Sequence, residues 1–148
     1  MKNFAFVFFL FATLLTVNAA SHQFDKRAAT FTPCTDALPG PTVTMTPDLL
    51  VAGESANFIV SGTSKYDIRA GLADLRIQLS KLLSGQIAAT PIVNPYYQLF
   101  NESFPANTPF SIVAPKVDIP SNLTYNYTIE VIIEDELTYG CSMNTFIN

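Results

Sequence analysis

Apolar residues in this chain recur at every second position far more often than at the 3.6-residue interval of a helix, in short runs separated by turn-forming residues. In Ser55–Ser61, Ala56, Phe58 and Val60 share one face. In Ala73–Leu79, Ala73, Leu75, Ile77 and Leu79 oppose Asp74, Arg76 and Gln78. The clearest run is Tyr125–Glu134, where Tyr125, Tyr127, Ile129, Val131 and Ile133 alternate with Asn126, Thr128, Glu130 and Glu134, and Ile132 is the single exception. Shorter candidates are Thr42–Thr46, Tyr96–Phe100, Phe110–Val113 and Thr138–Phe146. Turn chemistry at Ala52-Gly53, Ser61-Gly62-Thr63, Ser84-Gly85 and Ile119-Pro120-Ser121 punctuates the runs. About seven short strands at this spacing predict an all-β, immunoglobulin-like antiparallel β-sandwich. Beyond residue 32, ten prolines leave only residues 48–90 and 121–148 as long proline-free stretches, which argues against a helical bundle.

Leu82–Pro95 is apolar but follows neither period, and reads as an irregular, partly buried connection or as an apolar lip at a cavity mouth. The chain has no Trp, and its two cysteines sit near the two ends of the candidate domain, so the Cys…Trp…Cys signature of true immunoglobulin domains is missing.

The first residues belong to a different pattern. Met1-Lys2-Asn3 is a short basic start, Phe4 to Val17 is an apolar run broken only by Thr13 and Thr16, and small residues follow around Ala19-Ala20. This is the form of a secretory signal peptide over residues 1–20, too short to span a bilayer. The polar stretch Ser21–Arg27 ends in the dibasic pair Lys26-Arg27 and reads as a short pro-segment; the alternative is a solvated tail. The folded domain is therefore expected over residues 28–148, in a secreted or lumenal protein.

Taking away residues 1–27 removes three basic residues and Asp25, leaving five basic and eleven acidic residues, a formal charge of −6. Nucleic acid needs clustered Lys and Arg, so a nucleic-acid partner is excluded. The only histidine, His22, goes with the removed segment. Without an imidazole, Ser-His-Asp and Cys-His catalysis and nearly every zinc site fall away. Glu130 and Glu134 lie on one face of a strand but ~13 Å apart, too far for a glycoside hydrolase pair. Glu134-Asp135-Glu136 reads as a solvated turn rather than a calcium site. No enzyme, metal or cofactor is expected.

In an oxidising compartment Cys34 and Cys141 read as a disulfide closing a loop of over 100 residues, worth ~4–5 kcal/mol on a chain-entropy model; free thiols would need a reactive setting. Asn101, Asn122 and Asn126 each open an N-x-[ST] sequon, expected at the surface as glycosylation sites or left unmodified.

Taken in order, several stretches carry a further signal. They are Cys34, Thr42-Val43-Thr44-Met45-Thr46-Pro47, Gly53, Phe58-Ile59-Val60-Ser61-Gly62-Thr63, Asp67-Ile68 and Gly71. They continue with Gln98-Leu99-Phe100, Pro109-Phe110-Ser111-Ile112, Ile119-Pro120, Tyr127-Thr128-Ile129-Glu130-Val131, Gly140-Cys141 and Phe146. Together they resemble the ML (lipid-recognition) domain family over residues 31–148. The resemblance is nearest to the secreted phosphatidylglycerol/phosphatidylinositol transfer proteins of fungi, and more distant to the Niemann–Pick type C sterol carrier.

The resemblance implies a seven-stranded sandwich whose sheets splay apart around an apolar cavity, with Cys34 and Cys141 tying the first strand to the last. It implies a lipid ligand (a phospholipid or sterol), transient membrane contact, no cofactor and action as a monomer. Phe58, Val60, Leu75, Ile77, Tyr127, Ile129 and Val131 are then the expected cavity lining, with Phe100 and Phe110 near its mouth. Their role would be desolvation, since exposing a 16-carbon tail costs on the order of 12 kcal/mol at ~0.8 kcal/mol per methylene. Relatives usually carry further cysteines in mid-chain; this sequence has none between 35 and 140. The alternative expectation is a secreted immunoglobulin-like interaction glycoprotein with a closed core and no lipid.

Overall fold

A computed structural model describes residues 29–83, 86–123 and 126–147. The signal-peptide and pro-segment readings, and Tyr125, lie outside them. Among the described residues nine antiparallel strands form two facing sheets: β1 Thr32–Pro33, β2 Thr42–Thr46, β3 Ser55–Thr63, β4 Asp74–Leu83, β5 Gln86–Pro91, β6 Tyr96–Leu99, β7 Pro109–Asp118, β8 Tyr127–Glu134 and β9 Thr138–Phe146. The larger sheet runs β1-β9-β8-β4, with β5 and β6 sharing the far edge of β4; the smaller runs β2-β3-β7. Among the described residues no helix is long and apolar enough to cross a membrane.

Period-two alternation does what pleating requires of it. Ala56, Phe58 and Val60 of β3, Leu75, Ile77 and Leu79 of β4, and Tyr127, Ile129, Val131 and Ile133 of β8 all point into one core shared by both sheets. Ile132, the break in the β8 pattern, lies on the outer face. There the register sets it between Arg76 and the disulfide-bonded Cys141, and it is buried all the same.

Two segments depart from expectation. Leu82–Pro95 is not an irregular connection: β5 folds back on β4, with Ser80 opposite Pro91 and Lys81 opposite Thr90. Its aperiodic sequence hides the strand because a register shift falls between Lys81 and Leu83. β7 runs well past Val113, through Pro115. Pro115 and Lys116 stand opposite Asn57 in a bulge between the pairs Phe58–Ala114 and Ala56–Val117. Lys116 takes a left-handed φ of 54° there, and the Asn57 carboxamide oxygen accepts its backbone N–H at 3.0 Å. A proline is tolerated because β7 is an edge strand, with no strand paired on its other side among the described residues.

Candidate functional site

The two sheets meet along two lateral seams of unequal strength. On one side β9 faces the start of β2, and the seam is stapled. Beside this seam, within the larger sheet, the Cys34–Cys141 disulfide ties the end of β1 to β9 with its Cα atoms 5.4 Å apart, and so anchors the segment that leads into β2. The Cys34 N–H continues the β1–β9 pairing by donating to the Cys141 carbonyl, while the Cys141 N–H crosses the seam to the Pro39 carbonyl, both at 3.1 Å. The Ser142 hydroxyl donates to the Pro41 carbonyl at 2.6 Å. Gly140 fits here because a Cβ would come within 3.1 Å of the Pro39 carbonyl oxygen.

On the other side β6 faces the unpaired edge of β7, and the bridge is made by side chains. Gln98 and Tyr96 stand opposite Leu75 and Ile77 in register and so take inner-face positions at the rim of the core. The Tyr96 hydroxyl donates to Gln98 Oε1 at 2.7 Å, and Gln98 Nε2 donates across the gap to the Val113 carbonyl at 3.0 Å. Burial raises the Tyr96 phenol above its ordinary value. Outside this seam Tyr97, Leu99 and Val113 are each more than half exposed. Behind it Phe100, Phe104 and Phe110 pack edge-to-face, with centroids 6.2–6.3 Å apart.

All nine expected lining residues are buried in the common core. Phe58, Val60, Leu75, Ile129 and Val131 are 0% exposed, so no water-sized void touches them. The sandwich is as the alternation predicts, but around these described residues no hollow stands open between its sheets in this conformation. Side chains mesh across the gap because an empty apolar space forfeits dispersion contacts on every wall. A cleft among Pro39, Pro41, Thr63, Ser64, Phe110 and Ile133 leaves ≈10 Å³, about the room of a single water.

The acidic residues settle into structural roles. Asp135 is not solvated as the sequence suggests: its side chain is 7% exposed and pairs with Arg69 at 2.9 Å. The Tyr139 hydroxyl also donates to it. Tyr139 and then Arg69 hold the Asp135 carboxyl down to about 2. Glu134 pairs instead with Arg76 at 2.7 Å, so the three consecutive acids do not converge. Glu134 also stands opposite Asp74 on the outer face of the larger sheet; desolvation, then the Glu134 charge, raises Asp74. Glu130 lies with the sulfurs of Cys34 and Cys141, all within 4.8 Å, but sulfurs joined in a disulfide are not thiolate ligands for a metal. Asn101, Asn122 and Asn126 are exposed in loops. The residues that sequence reasoning missed are Tyr96, Gln98 and Phe104. A neutral amide on the inner face of a short strand is the signal that marks the first two.

No family model matches the chain, and no curated protein matches it. Among solved structures, chicken MD-1 complexed with lipid IVa matches with a TM-score of 0.52 at 11% identity, covering 78% of this chain and 86% of that one. At this identity the likeness is one of fold: the chain takes the same β-sandwich architecture.

Proposed function

We propose that this is a secreted, non-catalytic lipid carrier of ML type. Its sandwich parts along the β6–β7 seam to take a phospholipid chain or sterol between the sheets. The observation that carries the reading is the inequality of the seams. One is crossed by two hydrogen bonds from β9, Cys141 N–H to Pro39 and Ser142 hydroxyl to Pro41, in a segment whose start the disulfide fixes to β9; the other is crossed by the side-chain bridge through Gln98. A neutral hydrogen bond is worth a net ~1 kcal/mol, and the disulfide limits how far the start of β2 can move from β9, so separation favours the Gln98 side. Parting there would give a lipid tail the walls formed by Phe58, Val60, Leu75, Ile77, Tyr127, Ile129 and Val131, with Phe100 and Phe110 beside the entrance. The MD-1 likeness supports the reading, as that protein was crystallised with a lipid. Phosphatidylglycerol, phosphatidylinositol and sterol are the ligand classes that the sequence resemblance puts forward. Carriage needs shielding from water and no catalytic group.

The filled core favours a second reading: a closed interaction glycoprotein with sugars at Asn101, Asn122 and Asn126. Native mass spectrometry of the secreted protein, before and after solvent extraction, separates the two. The carrier shows an adduct of lipid mass that extraction removes and labelled lipid restores. The closed glycoprotein shows sugar masses only and takes up neither phospholipid nor sterol.

A further inference from the structure

Resting on that reading, we infer that Gln98 is the gate of the carrier, and that the hydrogen-bonded relay Tyr96–Gln98–Val113 sets the rate at which lipid enters. Position argues for this first. Gln98 lies opposite Leu75 on the inner side of β6, where an apolar side chain would seal the seam by burial. Instead a neutral amide spans the gap to a main-chain carbonyl. That carbonyl belongs to β7, which pairs with β3 and among the described residues has no strand on its other side, so no sheet ladder is broken when the bond is released.

Chemistry argues for it next. An apolar seal exposes apolar surface when it opens, and that cost grows with area. An amide and a carbonyl at a partly solvated rim exchange each other for water at little net cost, and re-form the bond on closing. Tyr96 makes the latch directional. By donating to Gln98 Oε1 it turns the carboxamide so that Nε2 points at Val113. Gln98 is thus a positioning residue for access and supplies no chemistry. Loss of the latch raises the fraction of molecules in the open state, and apparent uptake scales with that fraction.

The test is stopped-flow uptake of a pyrene-labelled phosphatidylglycerol from phosphatidylcholine vesicles by the full secreted chain. Gln98→Ala is expected to speed uptake roughly two- to tenfold, the span of one neutral hydrogen bond. Gln98→Glu supplies a readout that a merely structural role would not move. Above a carboxyl pKa of about 4.3 the ionised side chain cannot donate to Val113, and uptake should be fast; below it the protonated carboxyl donates again, and uptake should slow. The wild-type rate should show no such step. If wild type takes up lipid and both variants match it at every pH, the gate is wrong while the carrier stands. If wild type takes up no lipid at all, gate and carrier fall together.

Discussion

Asp135 shows how a single side chain acquires a role that its neighbours in sequence do not announce. Flanked by Glu134 and Glu136, it resembles part of a hydrated acidic turn. The fold brings Arg69 from the β3–β4 loop and Tyr139 from β9 onto it, and Tyr66 stacks on the Tyr139 ring with centroids 5.6 Å apart. Its carboxyl, ordinarily near 3.8, is held at about 2. A folded value below the unfolded one means that the carboxylate contributes stability above pH ~4, and that the contribution is lost as pH falls through about 2. Asp135→Asn should therefore melt at a lower temperature than wild type at pH 7, and the difference should shrink between pH 4 and pH 2. Thermal melts across that range check it; a constant difference would mean that the carboxylate charge is not the source. Such partnerships are invisible in one sequence, because residues 69, 135 and 139 meet only after the loops are placed. Fully buried positions such as Phe58 and Val131 are legible, since alternation alone assigns them a face.

Strands were readable where pleating imposed a strict alternation and unreadable where the ladder was interrupted. β3, β4 and β8 each announce a face. β5 does not, because the register slips at the hairpin, and a slip of one residue sends side chains to opposite faces. The alternation Phe110–Val113 covers only part of β7, which runs on through Pro115 because in an edge strand a proline fits into a bulge. That bulge rests on one side-chain contact, the Asn57 oxygen accepting from the Lys116 N–H. Asn57→Ala should cost about 1 kcal/mol in urea denaturation, the typical worth of one such bond, and should speed hydrogen exchange at Lys116 more than at the β3–β8 core. Equal exchange everywhere would show that the bulge is held by something else.

Considered whole, the molecule is two facing sheets with one seam tethered near the disulfide and the other held by side chains. The cysteines sit at the ends of the domain in sequence, yet they bind β1 to β9 within the larger sheet, and so tether the chain that leads into β2 at one seam. The other seam joins edge strands that no ladder connects. The architecture and the disulfide were legible from strand spacing and the cysteine pair. The state of the interior was not, because the same inward Phe, Ile and Val residues line a hollow or fill one. Whether the seam at β6–β7 parts is a question of distance across it. Leu99 and Val113 are exposed on either side and suit spin labels attached through Leu99→Cys and Val113→Cys, with the native disulfide left intact. Pulsed electron–electron resonance on this doubly labelled protein, with and without bound phospholipid, measures the separation directly. The account predicts a single short distance in the empty protein and a widening on the order of 5 Å with lipid, about half the ~10 Å spacing of packed sheets. An unchanged distance in protein that demonstrably holds lipid would contradict it.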